Sequence, residues 1–269
     1  MYNEEEDDED SEKIIFDKNM IQIIESKSPS PEPSPDKKRA MQTYVMPPRV
    51  WHENSAHTDD EVFEHAFDLL LQTDEYTSGK PISFGIWNLE SLAHDREYGI
   101  KLMQPDPLKH LLLLARTNVG WQIRQGAARV IGSALWNNPE ASKAVEGSRL
   151  MLQLLEIIKK EKDSRVKTSL IFALSAAALD RSEGTTKFLE AGGSEFLRHE
   201  FEQGDSEIKG KCATFVQDNL ISTSHDELSS KELAEWCNVL QKSLIENTAG
   251  DAAEKVLECL MYNSLLYIN

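Results

Sequence analysis

No run of about 18 apolar residues occurs anywhere in the chain, so no segment reads as a membrane-spanning helix. Cysteine is scarce: Cys212, Cys237 and Cys259 are odd in number and lack metal-ligand spacing. Each is expected as a small apolar core residue. Basic residues are in deficit, 29 against 46 acidic, which leaves a net charge of −17. Nucleic acid and anionic membrane surfaces repel such a polyanion, so neither is an expected partner; neutral or basic protein surfaces are. Alternation of period two is missing beyond Thr58, which excludes a sheet and makes the fold class all-α.

Catalytic signatures are missing too. The chain has no phosphate-cradling glycine loop, no His-Glu-x-x-His and no paired cysteines, so it reads as a non-enzyme that needs no cofactor. His52 and His57 lie in an acidic stretch and read as an unliganded surface pair, not a metal site. His94 and Asp95 are neighbours in sequence, and neighbours on a helix diverge by about 100°, which argues against a proton relay. The many carboxylates read as a solvated acidic surface.

What is present begins with a tail. Residues 1–50 open on Glu4-Glu5-Glu6-Asp7-Asp8-Glu9-Asp10, with no charged-then-apolar leader pattern. A short apolar patch around Ile14 and Ile24 follows, then Ser28-Pro29-Ser30-Pro31-Glu32-Pro33-Ser34-Pro35, whose prolines forbid helix and predict an extended solvated linker. The Ser-Pro pairs read as spacer or phosphorylation sites, and Lys37-Lys38-Arg39 is a weak nuclear-import pattern.

From Thr58 the texture changes. Thr58 is a plausible N-cap before Asp59, Asp60 and Glu61, and Val62, Phe63, Ala66, Phe67 and Leu70 recur at helical spacing. An internal repeat then appears. Ile123-Arg124 and Val166-Lys167 lie 43 positions apart, and a third copy starts at Ile208-Lys209, 42 further on. Leucine-rich helices precede the first two copies, and short stretches closed by glycine separate the copies, as at Gly147 and at Gly192-Gly193. A degenerate earlier copy runs from Ile82 through Trp87 and Leu92 and closes with Ile100, Leu102 and Met103. Three helices per period of 42 to 45 residues is the layout of armadillo and HEAT arrays. The expected organisation is a tail over 1–50, armadillo-like repeats over 58–222 and capping helices over 223–269, one of them carrying Leu233, Trp236, Cys237, Leu240 and Leu244.

Such a stack offers a binding surface along the last helix of each unit. The ends of those helices fall in register at His94-Asp95, Trp136-Asn137 and Leu179-Asp180. Trp136 is the leading candidate, since interface tryptophans often dominate binding energy; the alternative is that it packs between repeats. Arg124, Arg129, Arg165 and Lys167 are a basic subset that pairs with a partner's carboxylates or, alternatively, within the repeats. The candidate partner-binding residues are therefore His94, Asp95, Arg124, Arg129, Trp136, Asn137, Arg165, Lys167 and Asp180.

Several of these segments resemble a known family. Leu92-Ala93-His94-Asp95-Arg96-Glu97-Tyr98-Gly99-Ile100-Lys101-Leu102 is similar to the segment opening the repeat domain of the fungal Sil-type exchange factors of the endoplasmic reticulum. Ile131-Gly132-Ser133-Ala134-Leu135-Trp136-Asn137-Asn138-Pro139, Phe172-Ala173-Leu174-Ser175 and Lys187-Phe188-Leu189-Glu190-Ala191-Gly192-Gly193 resemble segments that this group shares with its cytosolic Fes-type relatives. The resemblance covers residues 80–221. It implies a monomeric, armadillo-like nucleotide exchange factor that clasps the ATPase domain of a DnaK/BiP-class heat shock protein 70 chaperone in its concave face and releases ADP. The implied compartment is the endoplasmic reticulum lumen, with the cytoplasm as the alternative; the last residues, Leu265-Leu266-Tyr267-Ile268-Asn269, form no retrieval signal. The competing function is an armadillo-repeat adaptor with no effect on nucleotides.

Overall fold

Thr58 sets the first helix. Its hydroxyl accepts from the Glu61 amide at 3.2 Å, and its own amide donates to Glu61 Oε2 at 2.9 Å, a reciprocal capping box. The computed structural model describes residues 58–71, 80–117, 119–178, 182–221 and 227–245, and all regular structure in them is helical. Helix α1 (Asp59–Leu71) buries Val62, Phe63, Ala66 and Leu70 and packs on α2 (Lys80–Leu92).

Three modules of three helices follow. The first holds α3 (Arg96–Leu102), α4 (Pro105–Arg116) and α5 (Trp121–Leu135). The second holds α6 (Pro139–Ala144), α7 (Leu150–Lys160) and α8 (Ser164–Ala178). The third holds α9 (Ser182–Glu190), α10 (Gly193–Gln203) and α11 (Ser206–Val216). Local chemistry marks the boundaries. Asp95 caps α3, Asn138 caps α6 and Asp205 caps α11 through side-chain oxygens, and prolines open α4 and α6 where the missing amide costs nothing. Gly147 and Gly192 both take left-handed φ values, 74° and 71°, in the turns before α7 and α10.

The repeat seen in the sequence is the repeat of the fold. Ile123, Val166 and Ile208 are each the third residue of a module's third helix, and all three are buried. One boundary differs from expectation. Ile100, Leu102 and Met103 do not close the degenerate first copy; they lie in α3 and its C-cap, the opening of the next module. A seven-residue helix shows too few turns to reveal its own period.

The third helices stack in chain order, α2 on α5, α5 on α8 and α8 on α11. Small residues allow the approach. A Cβ on Gly126 would overlap Ile86 of α2, and one on Gly132 would overlap the Phe172 ring and sit 3.2 Å from Ala173 Cα. Polar bonds tie equivalent places in successive modules. Asn138 Nδ2 donates to the Arg96 carbonyl at 3.0 Å, and Asn219 Nδ2 donates to Ser175 Oγ at 2.9 Å. Asn219 lies in a π-helical turn, Gln217–Ile221, that prolongs α11.

Helix α12 (Glu227–Ile245) ends the described array. Leu233, Trp236, Cys237 and Leu240 are buried, Leu244 is half-buried, and the Trp236 indole N–H donates to Ser194 Oγ at 2.8 Å. Cys212 is fully buried as well, and burial, reinforced by the nearby Glu200 charge, pushes its thiol far above the usual range. Among the described residues no helix is long and apolar enough to cross a membrane. The expected tail, the breaking run after Ser222, the His52/His57 pair and the second capping helix from Asp251 lie outside the described residues.

Gly132→Val is expected to force α5 and α8 apart and cost about 1–3 kcal/mol. Thermal unfolding followed by circular dichroism checks this; a midpoint within a degree of the wild type would show that the Phe172 ring simply moves aside.

Candidate partner-binding face

The third helices carry a row of half-exposed aromatic and basic side chains. At the start of α8, the Arg165 guanidinium lies 3.5 Å from the Trp121 ring centroid, and Gln125 Nε2 donates to the Arg165 carbonyl at 3.3 Å. Toward the far end of α5, the Trp136 ring is 6.0 Å from that of Phe172, and Lys211 of α11 sits over Phe172 at 5.5 Å. On α2, Phe84 and Trp87 meet edge to face at 6.2 Å. Trp136 stands out by exposure. It is 37% exposed, and Leu71 at 42% is the other large exposed hydrophobic among the described residues. Trp136 is the C-cap of α5, and Asn137 follows with φ 55°, a left-handed turn that asparagine tolerates. That turn ends the helix and holds the indole outward.

The candidate residues divide by what holds them. Asp95 caps α3 by accepting from the Glu97 amide at 2.8 Å, beside an exposed His94. Arg124 reaches the next module, where Nε and Nη2 bond Glu161 at 2.8 and 3.2 Å, and it also donates to the Val119 carbonyl. Lys167, 43 positions later, bonds Glu200 of α10 at 2.6 Å. Arg129 pairs with the buried Glu90 of α2 at 2.7 Å. Arg165 is exposed and shared between Trp121 and Asp163, whose Oδ2 lies 2.5 Å from Nη2. Asp180 lies outside the described residues. Trp136, Asn137 and Arg165 thus face solvent, whereas Arg124 and Lys167 are spent as ties between helices. Trp121 and Phe172 lie on the same face and are not among the candidate residues that the sequence suggests.

Charge follows the same division. Burial works against ionised Glu161, but Arg124 and the amides of Asp163 and Lys162 outweigh it and hold its carboxyl below the usual range. Arg165 likewise lowers Asp163. Glu90 goes the other way, since burial raises its carboxyl and Arg129 only partly opposes this. The basic candidates Arg124, Arg129, Arg165 and Lys167 are therefore paired within the array, while Trp136 stays exposed.

Stacked three-helix modules define an armadillo-like superhelix, and solved structures agree. Two engineered proteins match with TM-scores of 0.61 and 0.63 at 20% and 18% identity, each over 77% of this chain and 84% and 86% of theirs. A computationally designed armadillo repeat protein for modular peptide recognition matches with a TM-score of 0.58 at 19% identity, over 73% of this chain and 80% of its own. The family described as "Nucleotide exchange factor SIL1" matches residues 59–268, from the start of α1 past the end of α12, and the chain belongs to that family. The nucleotide exchange factor SIL1 of Xenopus laevis is 22% identical over 197 residues, 65% of this chain and 43% of that protein. The chain thus spans under half the length of that curated relative.

Arg124→Ala is expected to cost about 2–3 kcal/mol at neutral pH, because Glu161, 8% exposed, would keep a charge without its partner. The folded carboxyl lies below its ordinary value of 4.5, so the stability it contributes is present above that pH and lost as pH falls through the folded value. Thermal midpoints from pH 7 to pH 3 should therefore fall less steeply in Arg124→Ala than in the wild type; parallel curves would place the acid sensitivity elsewhere.

Proposed function

We propose that this chain is a nucleotide exchange factor for a heat shock protein 70-class chaperone of DnaK/BiP type, working in the endoplasmic reticulum lumen. The third-helix face grips the chaperone's ATPase domain, and ADP leaves faster. The observation that carries this reading is the family match, which runs over the whole helical array and leaves no described helix beyond it. In this reading residues 58–222 form the gripping array, 223–269 its cap and 1–50 a solvated tail. The protein acts as a monomer and contacts neither nucleic acid nor membrane.

The mechanism is linkage. A partner that binds the open form of the nucleotide cleft more tightly than the closed form must weaken nucleotide binding by the same factor. A coupling of about 1–3 kcal/mol changes nucleotide affinity about 5–150-fold. No side chain of this chain needs to touch the nucleotide, and no bond is made or broken. Rigidity suits the task, because a face held by packed helices and internal ion pairs loses little conformational freedom on binding.

Stopped-flow release of labelled ADP from a DnaK-class chaperone tests this. The full chain at micromolar concentration should speed release from a luminal or a cytosolic chaperone. Failure with both leaves the adaptor reading. Trp136→Ala should weaken binding about 30-fold, as loss of an interface tryptophan does, and leave the thermal midpoint within about two degrees. Equal losses of binding and stability would make Trp136 a packing residue instead.

A further inference from the structure

On a chain of net charge −17, the third helices of the three modules run the other way: Arg124 and Arg129 on α5, Arg165 and Lys167 on α8, Lys209 and Lys211 on α11, against Glu207 alone. Three of these cations are engaged by glutamates of neighbouring helices, Arg124 by Glu161, Arg129 by Glu90 and Lys167 by Glu200. A partner's carboxylate gains little from them, because taking one would strand a buried glutamate. Lys209 and Lys211 differ. Among the described residues neither makes an ion pair; each lies over a ring, Lys209 at 5.9 Å from the Phe201 centroid and Lys211 at 5.5 Å from that of Phe172. Lys211 is the more telling. Glu207 precedes it by one turn on the same helix, the spacing at which glutamate and lysine pair, as Glu97 and Lys101 do at 3.0 Å. Its ammonium instead crosses to α8 and Phe172, the ring that meets the exposed Trp136.

We infer that Trp136, Phe172 and Lys211 form one docking patch for an acidic protein segment that sets a carboxylate beside an apolar side chain. The apolar group covers Trp136 and Phe172, and the carboxylate takes the Lys211 ammonium. Charge complementarity decides the occupant. The patch joins the largest exposed aromatic among the described residues to a cation that none of their carboxylates pairs with, so an acidic segment gains an ion pair without breaking one. A cation over an aromatic face keeps its charge and two of its donors outward, which suits it to this second partner. The inference rests on the exchange-factor reading, in which the segment belongs to the surface of the chaperone's ATPase domain.

The test uses the full chain and an ADP-loaded chaperone, with affinity measured by titration at about 50 and 500 mM salt, alongside ADP release. Lys211→Glu should weaken binding about ten-fold and flatten its salt dependence. Glu207→Gln, which removes the acidic residue of these three helices, should tighten binding about two- to three-fold, a gain no misfolded variant can imitate. If the wild type binds and speeds release while both variants match it in affinity and salt slope, the patch assignment is overturned and the exchange-factor reading stands. If the wild type neither binds nor speeds release, the exchange-factor reading falls and takes the patch with it.

Discussion

The close approach of α5 and α8 is the contact on which the array stands. Two helices of 15 residues each meet along their length because Gly132 leaves room for the Phe172 ring and Ala173, while Ala127, Ala134, Ala176 and Ala177 add little bulk. A single module has no partner for the other side of its third helix, so its apolar faces are covered only when neighbours stack. Cohesion is therefore passed from one helix pair to the next. The same ring that fills the space over Gly132 meets Trp136, so the most exposed aromatic of the face and the α5–α8 contact share one side chain. Packing and the proposed binding face are built from the same residues.

Ion pairs play a different part from the one their exposure in sequence suggests. Arg124 and Lys167 occupy equivalent places, 43 positions apart, and each reaches a glutamate of the next module. Arg198 of α10 repeats the device at the end of the array, bonding Glu232 and Glu235 of α12. Partly buried pairs of this kind add little net stability over apolar packing, but losing one partner leaves an unmatched charge. Each joins two neighbouring elements of the array at a defined point, which suits it to fixing the rotation between them. An array with that rotation fixed presents a preformed surface, and a preformed surface binds with less ordering cost.

Helical class, period and the buried apolar positions were legible because they follow from spacing alone. Ile123, Val166 and Ile208 recur at one interval and are buried for one reason. The framing of the first module was not legible, because α3 is shorter than two full turns of apolar pattern and its cap, Asp95, read as a functional residue. Site residues fared unevenly for a physical reason. The carboxylates that engage Arg124 and Lys167 lie 37 and 33 positions away, on other helices, where sequence spacing carries no information. Trp136, read as either an interface or a packing residue, is exposed at a helix end, and Phe172 beside it is only half-covered.

The two described cysteines carry a consequence for where such an array can live. Cys212 and Cys237 sit wholly inside, and Cys212 is held far from its thiolate form. Thiol exchange and oxidation proceed through exposed thiolate, so neither glutathione nor an oxidoreductase finds a foothold on Cys212. Among the described residues no disulfide is formed, and Cys212 offers no ready thiol to one. In either an oxidising or a reducing compartment Cys212 therefore stays a packed apolar group.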